Sequence, residues 1–492
     1  MINFKTIFSR IMSIGTVQRQ SIVTFIWQIA LTLIGFLSTM YFAHSVGASV
    51  LGAYFLFTTY YSIIGMVIDG GLGGAAIKRI SEGKEQNEYF SAFFVLSIFL
   101  TFVAVIILIL FRSYFVDLNN SGLFYWLLLT VFVNLFAGPI SIGVMGRGKM
   151  GISSTSSFIS QVSRILIQVV AVFFGFSVAG LAGGFAASIL IPALIQWRFF
   201  DLHFIRFGWR HIKRLSTFSF WLFLTSSGGM LYSYSDTVMI SYYLSNDEIG
   251  VYRVMFQFSA IALFIANSLS SVLWVNVSKW GKINETRLIE ESLSRAFSFS
   301  LLLAIPILAG GILLGNKLLY FFYGGEFSKG YSTLIVLLFV QIVSIFQSFF
   351  LNYLSALDRQ KYAFRVTALS GGANIVLNFI LIPKIGIIGA AIATLVTMML
   401  NAVLAHRELS KVITIRMAKT TILNILKASA AMSVFLMVYR LFVPLSNIWL
   451  TLIPVMLGGA IYGIFILKFD SKIYNEIKEI VEKMNLTWPN WL

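Results

Sequence analysis

The segments LGAY (51–54) and IGVY (249–252) indicate how this chain is built, because each follows a short polar connection and opens a long apolar run. The connections are HSVGASV (44–50) and LSNDE (244–248). Glycine and tyrosine therefore recur in the same setting at an offset of 198 residues. The recurrence predicts a chain made of two copies of one structural plan.

Further pairs of segments repeat in the same order, at offsets that drift to about 210 through changes in loop length. They are GRGK (146–149) with LDRQK (357–361), QVSRILIQVV (161–170) with GGANIVLNFI (371–380), and VAGLAGGFAAS (178–188) with IIGAAIATLVT (387–397). Weak internal symmetry of this kind is typical of transporter folds.

Composition places the whole chain in a membrane. Of its 492 residues 58% are hydrophobic and only 11% are charged, against about 25% charged in soluble proteins. A helix that crosses the hydrocarbon core needs about 20 apolar residues. The sequence predicts an all-α polytopic membrane protein with fourteen transmembrane helices. They lie near 20–43, 51–77, 89–111, 122–146, 155–176, 178–198, 216–244, 248–276, 296–315, 330–357, 362–383, 386–406, 418–443 and 446–467.

The repeat groups these spans into two pseudo-symmetric six-helix bundles, spans 1–6 and 7–12, followed by two C-terminal helices. The predicted N-lobe covers 20–200, and a basic linker at 201–215 leads to a C-lobe at 216–406. Spans 13 and 14 occupy 418–467. Apolar stripes at 1–19 and 468–492 predict an interfacial N-terminal helix and an amphipathic C-terminal helix at the membrane surface.

The distribution of basic residues predicts the orientation. If the N-terminus is inside, 27 of the 36 Lys and Arg residues fall in cytoplasmic segments and 5 in outer ones. This bias predicts a multi-pass protein of the cell membrane (inner or plasma membrane) with both termini cytoplasmic. Because the net charge of +17 is dispersed over eight loops, nucleic-acid binding is not expected.

Three strings give the chain a family resemblance: NIVLNFILIPKIGIIGAAIAT (374–394), SDTVMISYYLSNDEIGVY (235–252) and GRGKM (146–150). They resemble the polysaccharide transporter family, which includes O-antigen flippases and belongs to the multidrug, oligosaccharidyl-lipid and polysaccharide exporter superfamily. The resemblance covers nearly the whole chain. It implies a flippase for polyprenyl-diphosphate-linked oligosaccharides that works by alternating access, and it implies no enzymatic activity.

Ionisable residues within spans are candidates for function because the bilayer makes them costly. Arg164 and Gln168 lie four residues apart on one face of span 5, and the repeat places Asn374 and Asn378 at the matching positions of span 11. A guanidinium binds phosphate bidentately, and amides bind sugar hydroxyls. We expect these four residues to bind substrate, with a structural pair between helices as the alternative.

Three more arginines are candidates for binding a diphosphate. Arg253 directly follows the IGVY echo, where the first copy has Phe55. Arg365 follows Lys361 by four residues, so snorkelling to the interface is its alternative role. Arg147, together with Lys149, lies between spans 4 and 5.

Two acidic residues, Asp69 in span 2 and Asp236 in span 7, are candidates for coupling transport to protons or sodium ions, or for gating. The alternative for Asp69 is a helix-end pair with Lys78 or Arg79. The alternative for Asp236 is a salt bridge to Arg253 or Arg164.

The expected partners are the lipid-linked oligosaccharide and membrane lipids, and the resemblance allows a polysaccharide polymerase or glycosyltransferases as well. No cofactor or metal is expected, since the chain contains no cysteine and its four histidines have no ligand spacing. A multidrug exporter driven by proton or sodium antiport is the alternative function, although span 1 (20–43) contains no acidic residue. A membrane glycosyltransferase would need paired carboxylates on a sizeable outer loop, and the outer loops are short.

Overall fold

The structure is a computed structural model that describes residues 16–483, with side chains from residue 30 onward except at positions within 221–231, at 271 and within 480–483. All the regular structure in these residues is helical. The helices are α1 Thr16–Asp69, α2 Leu72–Ser81, α3 Gln86–Leu110, α4 Val116–Asn120, α5 Leu123–Gly146, α6 Met150–Phe173, α7 Val178–Trp197, α8 Trp209–Tyr243, α9 Asn246–Ser259, α10 Phe264–Lys282, α11 Thr286–Tyr323, α12 Gly325–Ser328, α13 Tyr331–Ala356, α14 Gln360–Leu409, α15 Lys419–Phe442, α16 Ile448–Phe469 and α17 Ser471–Lys483.

Within the described residues, eleven helical stretches are long and apolar enough to cross a membrane. The prediction of an all-α polytopic membrane protein is confirmed at this level. Two of the stretches, in α1 and α14, are 40 and 50 residues long, about twice the length that one crossing needs.

Both long helices change direction at a glycine. In α1 only Gly47 leaves helical geometry (φ 79°, ψ 179°), so the segment predicted as a polar connection at 44–50 remains helical around one residue. In α14 the break falls at Ile385 and Gly386, the latter with φ 64° and ψ −146°. Glycine adopts such angles because it has no Cβ.

Helix α11 begins ten residues before the predicted span at 296–315. Its first turns are polar and carry a surface ion pair, in which Arg287 Nε donates to Glu291 Oε1 at 2.9 Å, one turn away. Ile289 and Leu293 on the same turns are buried. Hydropathy detected only the apolar part of this helix.

The chain divides into two compact units, one extending to Ser241 and also containing Ser245–Gly250, the other formed by Tyr242–Leu244 and the residues from Val251 onward. The lobe boundaries inferred from the repeat stay predictions, since the described contacts do not test them.

In the first unit, α1 and the start of α9 cross at two glycines. A Cβ on Gly52 would overlap the carbonyl oxygen of Asn246 and lie 2.9 Å from the backbone nitrogen of Gly250. A Cβ on Gly250 would overlap the carbonyl oxygen of Ala48 and lie 3.1 Å from the nitrogen of Gly52. The repeated glycine of LGAY and IGVY therefore lets the two backbones touch.

In the second unit, the C-terminal helix packs on protein through part of its predicted apolar stripe. Ile473 is 5% exposed and belongs to the same buried cluster as Ile425 and Met432. Asp470 holds the start of the helix, because its Oδ1 accepts the backbone N–H groups of Lys472 and Ile473 at 3.1 Å. The interfacial helix predicted at 1–19 lies almost wholly outside the described residues.

Candidate functional site

Arg164 lies partly buried on α6, within the first unit. Its Nη2 donates to Gln161 Oε1 at 3.1 Å, and its guanidinium carbon is 5.9 Å from the centre of the Phe185 ring on α7. Its Nε is buried and has no hydrogen-bond partner among the residues that the structure describes. The head group thus keeps a donor available in an apolar setting.

Phe185 belongs to an aromatic cluster with three side chains of α1. Its ring centre lies 5.2 Å from Tyr61, 5.7 Å from Phe57 and 6.5 Å from Tyr54, each in an edge-to-face arrangement. This geometry is favourable for aromatic pairs and fixes the Phe185 ring. The face presented to Arg164 is therefore rigid.

Gln168, predicted to share a polar face with Arg164, is 2% exposed. Its Nε2 donates to Tyr54 Oη at 2.8 Å and to the carbonyl oxygen of Leu181 at 2.7 Å. Both amide protons are therefore used within the protein. A Cβ on Gly184 would lie 2.6 Å from the Gln168 Cγ, which explains the small residue opposite it on α7.

Asn374 and Asn378 in the second unit are completely buried. The Asn378 Nδ2 donates to Asn374 Oδ1 at 3.1 Å, and the Asn374 Nδ2 donates to the hydroxyls of Thr394 and Thr397 at 3.3 and 3.4 Å. The structure brings the predicted pair together one turn apart, before the bend of α14 at Ile385 and Gly386. The Asn374 amide binds threonines beyond the bend, so the network joins the two halves of the helix.

Two of the remaining arginines lie against neighbouring aromatic rings. The guanidinium carbon of Arg253 is 5.8 Å from the Phe256 ring centre, and that of Arg365 is 5.9 Å from Tyr362. Arg365 is exposed. Each of these contacts lies within a single helix of the second unit.

Arg147 lies just beyond α5 in an ion-pair cluster. Its Nε and Nη2 donate to the two carboxylate oxygens of Asp201 at 3.0 Å each, and Lys149 Nζ donates to the same carboxylate at 3.1 Å. Its Nη1 also donates to Gln86 Oε1. The hydrogen bond from Arg147 holds the pKa of Asp201 below its usual value. Arg147 therefore fastens the linker after α7 to the end of α5.

Asp69 ends α1 and accepts backbone hydrogen bonds across the turn that follows. Its Oδ2 accepts from Gly71 N at 3.1 Å, and its Oδ1 accepts from Gly73 N at 2.9 Å. The pair expected with Lys78 or Arg79 does not form, since Lys78 lies over the Phe218 ring and Arg79 binds Glu82. Asp69 thus accepts from the residue before α2 and from the second residue of α2, in the manner of a capping residue.

Asp236 on α8 is 5% exposed. It is the one candidate carboxylate whose side chain is almost fully buried within a predicted span. Its roles in ion coupling and gating stay predictions.

The sequence model of the family described as "Polysaccharide biosynthesis protein" matches residues 17–274, which is more than half of the chain. This chain belongs to the polysaccharide biosynthesis protein family. The family described as MatE also matches this polysaccharide biosynthesis protein, over residues 222–380. The superfamily resemblance inferred from the sequence is confirmed.

Two relatives in Haloferax volcanii align with this polysaccharide biosynthesis protein along almost its whole length. A probable low-salt glycan biosynthesis flippase is 26% identical over 466 residues, or 94% of this chain and 98% of the relative. The second relative, a probable flippase, is 24% identical over 474 residues, again 94% of this chain and 98% of the relative.

Solved structures share its fold. A lipid II flippase in an inward closed conformation has a TM-score of 0.74 at 20% identity and covers 93% of this chain and 99% of that chain. A multidrug resistance transporter of the MATE family in an inward-facing conformation has a TM-score of 0.59 at 14% identity. It covers 78% of this chain and 95% of that chain.

In each unit, the candidate residues contact side chains that the sequence reasoning missed. Tyr54 and Phe185 contact Gln168 and Arg164 in the first unit, and Thr394 and Thr397 complete the amide network in the second. The threonines could have been found from the sequence, because they lie three residues apart, on one face of an otherwise apolar helix. Tyr54 was singled out as the repeated tyrosine of LGAY, although not as a partner of Gln168, whereas nothing distinguished Phe185 among the 47 Phe residues of the chain.

Proposed function

We propose that this chain is a flippase, not an enzyme, which moves a polyprenyl-diphosphate-linked oligosaccharide from the inner to the outer leaflet by alternating access. Two relatives that align with 94% of the chain are named probable flippases, one of them of glycan biosynthesis. A lipid II flippase shares its fold. These likenesses support the class of substrate.

The observation that supports this proposal best is the environment of Arg164. A guanidinium in an apolar span is costly unless it serves a ligand or a partner. Arg164 binds only Gln161 and the Phe185 ring among the described residues, and its Nε has no acceptor. A diphosphate has the paired oxygens that a guanidinium fork binds. Gln168, one turn along α6, donates both amide protons to Tyr54 and Leu181, so it does not satisfy the guanidinium.

Replacing Arg164 with alanine tests the proposal. A hydrogen bond to a charged group contributes about 1.5–3 kcal/mol, so we expect binding of the diphosphate-linked glycan to weaken about ten- to hundredfold. The affinity of Arg164→Lys should lie between those of Arg164→Ala and the wild type, because an ammonium keeps the charge without the planar fork. The measurement is uptake and binding of a fluorescent polyprenyl-diphosphate glycan by vesicles that contain the purified protein.

Arg287→Ala is the matched control, because Arg287 is 87% exposed and its one ion pair within the described residues is with Glu291. Wild-type activity in Arg164→Ala would contradict the role of Arg164, and absence of glycan transport by the wild type would contradict the function.

The same vesicles with imposed proton or sodium gradients test coupling. If the wild type transports glycan faster under one of these gradients, Asp236→Asn should remove that acceleration. Asp69→Asn is the parallel variant for gating.

We also propose the fourteen-span topology with both termini cytoplasmic. Counting α1 and α14 as two crossings each and adding α8 to the eleven apolar stretches gives that number. Because the chain has no cysteine, single cysteines can report on sidedness directly. We expect Ser113→Cys to react with an impermeant maleimide in intact cells and Ser410→Cys to react only after permeabilisation. The reverse pattern would contradict the orientation, and labelling of both from outside would contradict the odd number of spans, nine, predicted between them.

A multidrug exporter is the second candidate, favoured by the match of the MatE family to residues 222–380. Cationic drugs would require carboxylates in their path, whereas Arg164 is a cation and the predicted first span has no acidic residue. Drug resistance conferred on a sensitised strain, without glycan transport in vesicles, would replace the flippase proposal.

A further inference from the structure

The linker between α7 and α8 has a fixed path along the first unit. The His203 N–H donates to Asn87 Oδ1 at 3.0 Å, and the Ile205 N–H donates to Ser91 Oγ at 2.9 Å, so both are bound to α3. Leu202, directly before His203, is 5% exposed and packs into the core. We call residues 197–209, with this extended backbone in the middle, the linker ribbon.

The linker ribbon exposes large apolar side chains to its surroundings. Five of them are at least 36% exposed: Trp197 (65%), Phe199 (40%), Phe204 (62%), Ile205 (36%) and Trp209 (74%). The ring of Phe204 also lies edge-on to Phe94 of α3, at 6.4 Å between centres, so its position is set by the protein. Aromatic rings in such positions are typical of the membrane–water interface.

Cations alternate with these rings. Residues 198–214 contain five basic side chains and one carboxylate, Asp201, which already binds Arg147 and Lys149. Arg210 pairs with Glu85, and Arg214 donates to the Tyr89 hydroxyl. The three others have no ion pair or hydrogen bond within the described part of the chain; they are Arg198, Arg206 and Lys213.

We propose that the linker ribbon is a preformed binding site for anionic phospholipid headgroups of the leaflet that borders it. The ribbon joins two predicted spans, so the membrane surface lies within a few residues of both its ends. Non-helical backbone is not tolerated in contact with hydrocarbon, which places the ribbon at headgroup depth. There its rings reach the acyl boundary and its unpaired cations meet lipid phosphates. The site is open and lies along the surface, as bulk lipid requires, and it does not depend on the proposed transport function.

The test compares lipids retained by the full-length protein. The protein is reconstituted in nanodiscs of phosphatidylcholine mixed with phosphatidylglycerol, extracted in mild detergent, and its bound lipids are quantified by mass spectrometry. We expect phosphatidylglycerol to be enriched severalfold over its share in the nanodisc. The double variant Arg198→Gln/Arg206→Gln should lose most of that enrichment, whereas Arg287→Gln should keep it.

Several outcomes would overturn the proposal. They are wild-type protein without enrichment, equal loss in the Arg287→Gln control, and displacement of phosphatidylglycerol by small amounts of added polyprenyl diphosphate. The last would assign the site to substrate. Should the double variant unfold, the wild-type arm decides instead: enrichment must fall as salt is raised, because the contacts are electrostatic, and a salt-independent enrichment would reject the site.

Discussion

Gly52→Ala is expected to prevent accumulation of folded protein in the membrane. The added methyl group would overlap the Asn246 carbonyl oxygen and come within 2.7 Å of the Asn246 carbonyl carbon. A flexible side chain could rotate away, but a backbone carbonyl cannot move without displacing its helix. Overpacking costs about 1–3 kcal/mol even where side chains yield, so a clash with backbone should exceed that range. The measurement is the monodisperse fraction in size-exclusion chromatography, with the thermal midpoint of whatever protein is recovered.

Gly250→Ala should have a similar effect from the other side of the contact, because its Cβ would overlap the Ala48 carbonyl oxygen. Gly35→Ala on the same helix as Gly52 is the matched control, since a Cβ there has no atom within 4 Å. That control should fold as well as the wild type or better, because alanine is favoured over glycine in a helix by about 1 kcal/mol. Normal yield and stability of Gly52→Ala would show that the two backbones do not meet in this way.

The sequence echo predicted duplication, yet it carried no information that its two copies contact each other. Composition and span length sufficed to predict the class of fold, because transfer of 20 apolar residues into lipid dominates any local preference. The ends of helices were less predictable. At the start of α11, the burial of Ile289 and Leu293 keeps polar residues helical beyond the apolar span, and hydropathy over a span-length window does not detect two buried residues.

For the candidate site, too, the sequence predicted which residues share a helix but not which residues from other parts of the chain contact them. The spacing of Arg164 and Gln168 correctly placed both on one helix, but their partners come from elsewhere in the chain. Gln168 binds Tyr54, 114 residues away in sequence, and Arg147 binds Asp201, 54 residues away. Such pairings depend on how helices pack, so one sequence without the fold could not separate the satisfied Gln168 from the incompletely satisfied Arg164.

A pair of glycines on α14 should respond to the same substitution with opposite signs. Gly386 has φ 64° and ψ −146° at the bend of the helix, a conformation that is essentially restricted to glycine and costs about 1–3 kcal/mol in other residues. Gly386→Ala should therefore lower the thermal midpoint by several degrees, although a Cβ there has open space around it. The cost arises from the backbone alone.

Gly372 lies earlier on α14, in its regular part, and a Cβ there also meets no atom within 4 Å. Gly372→Ala should raise stability by about 0.5–1 kcal/mol, since the unfolded chain loses freedom while the helix gains a better former. Both changes add one methyl group in open space on the same helix, so packing cannot account for a difference between them. Thermal unfolding of the two variants in one detergent compares them directly. A rise in both midpoints would mean that residue 386 can adopt ordinary helical angles, and hence that the chain can pass from Asn378 to Thr394 without the bend that brings their polar network together.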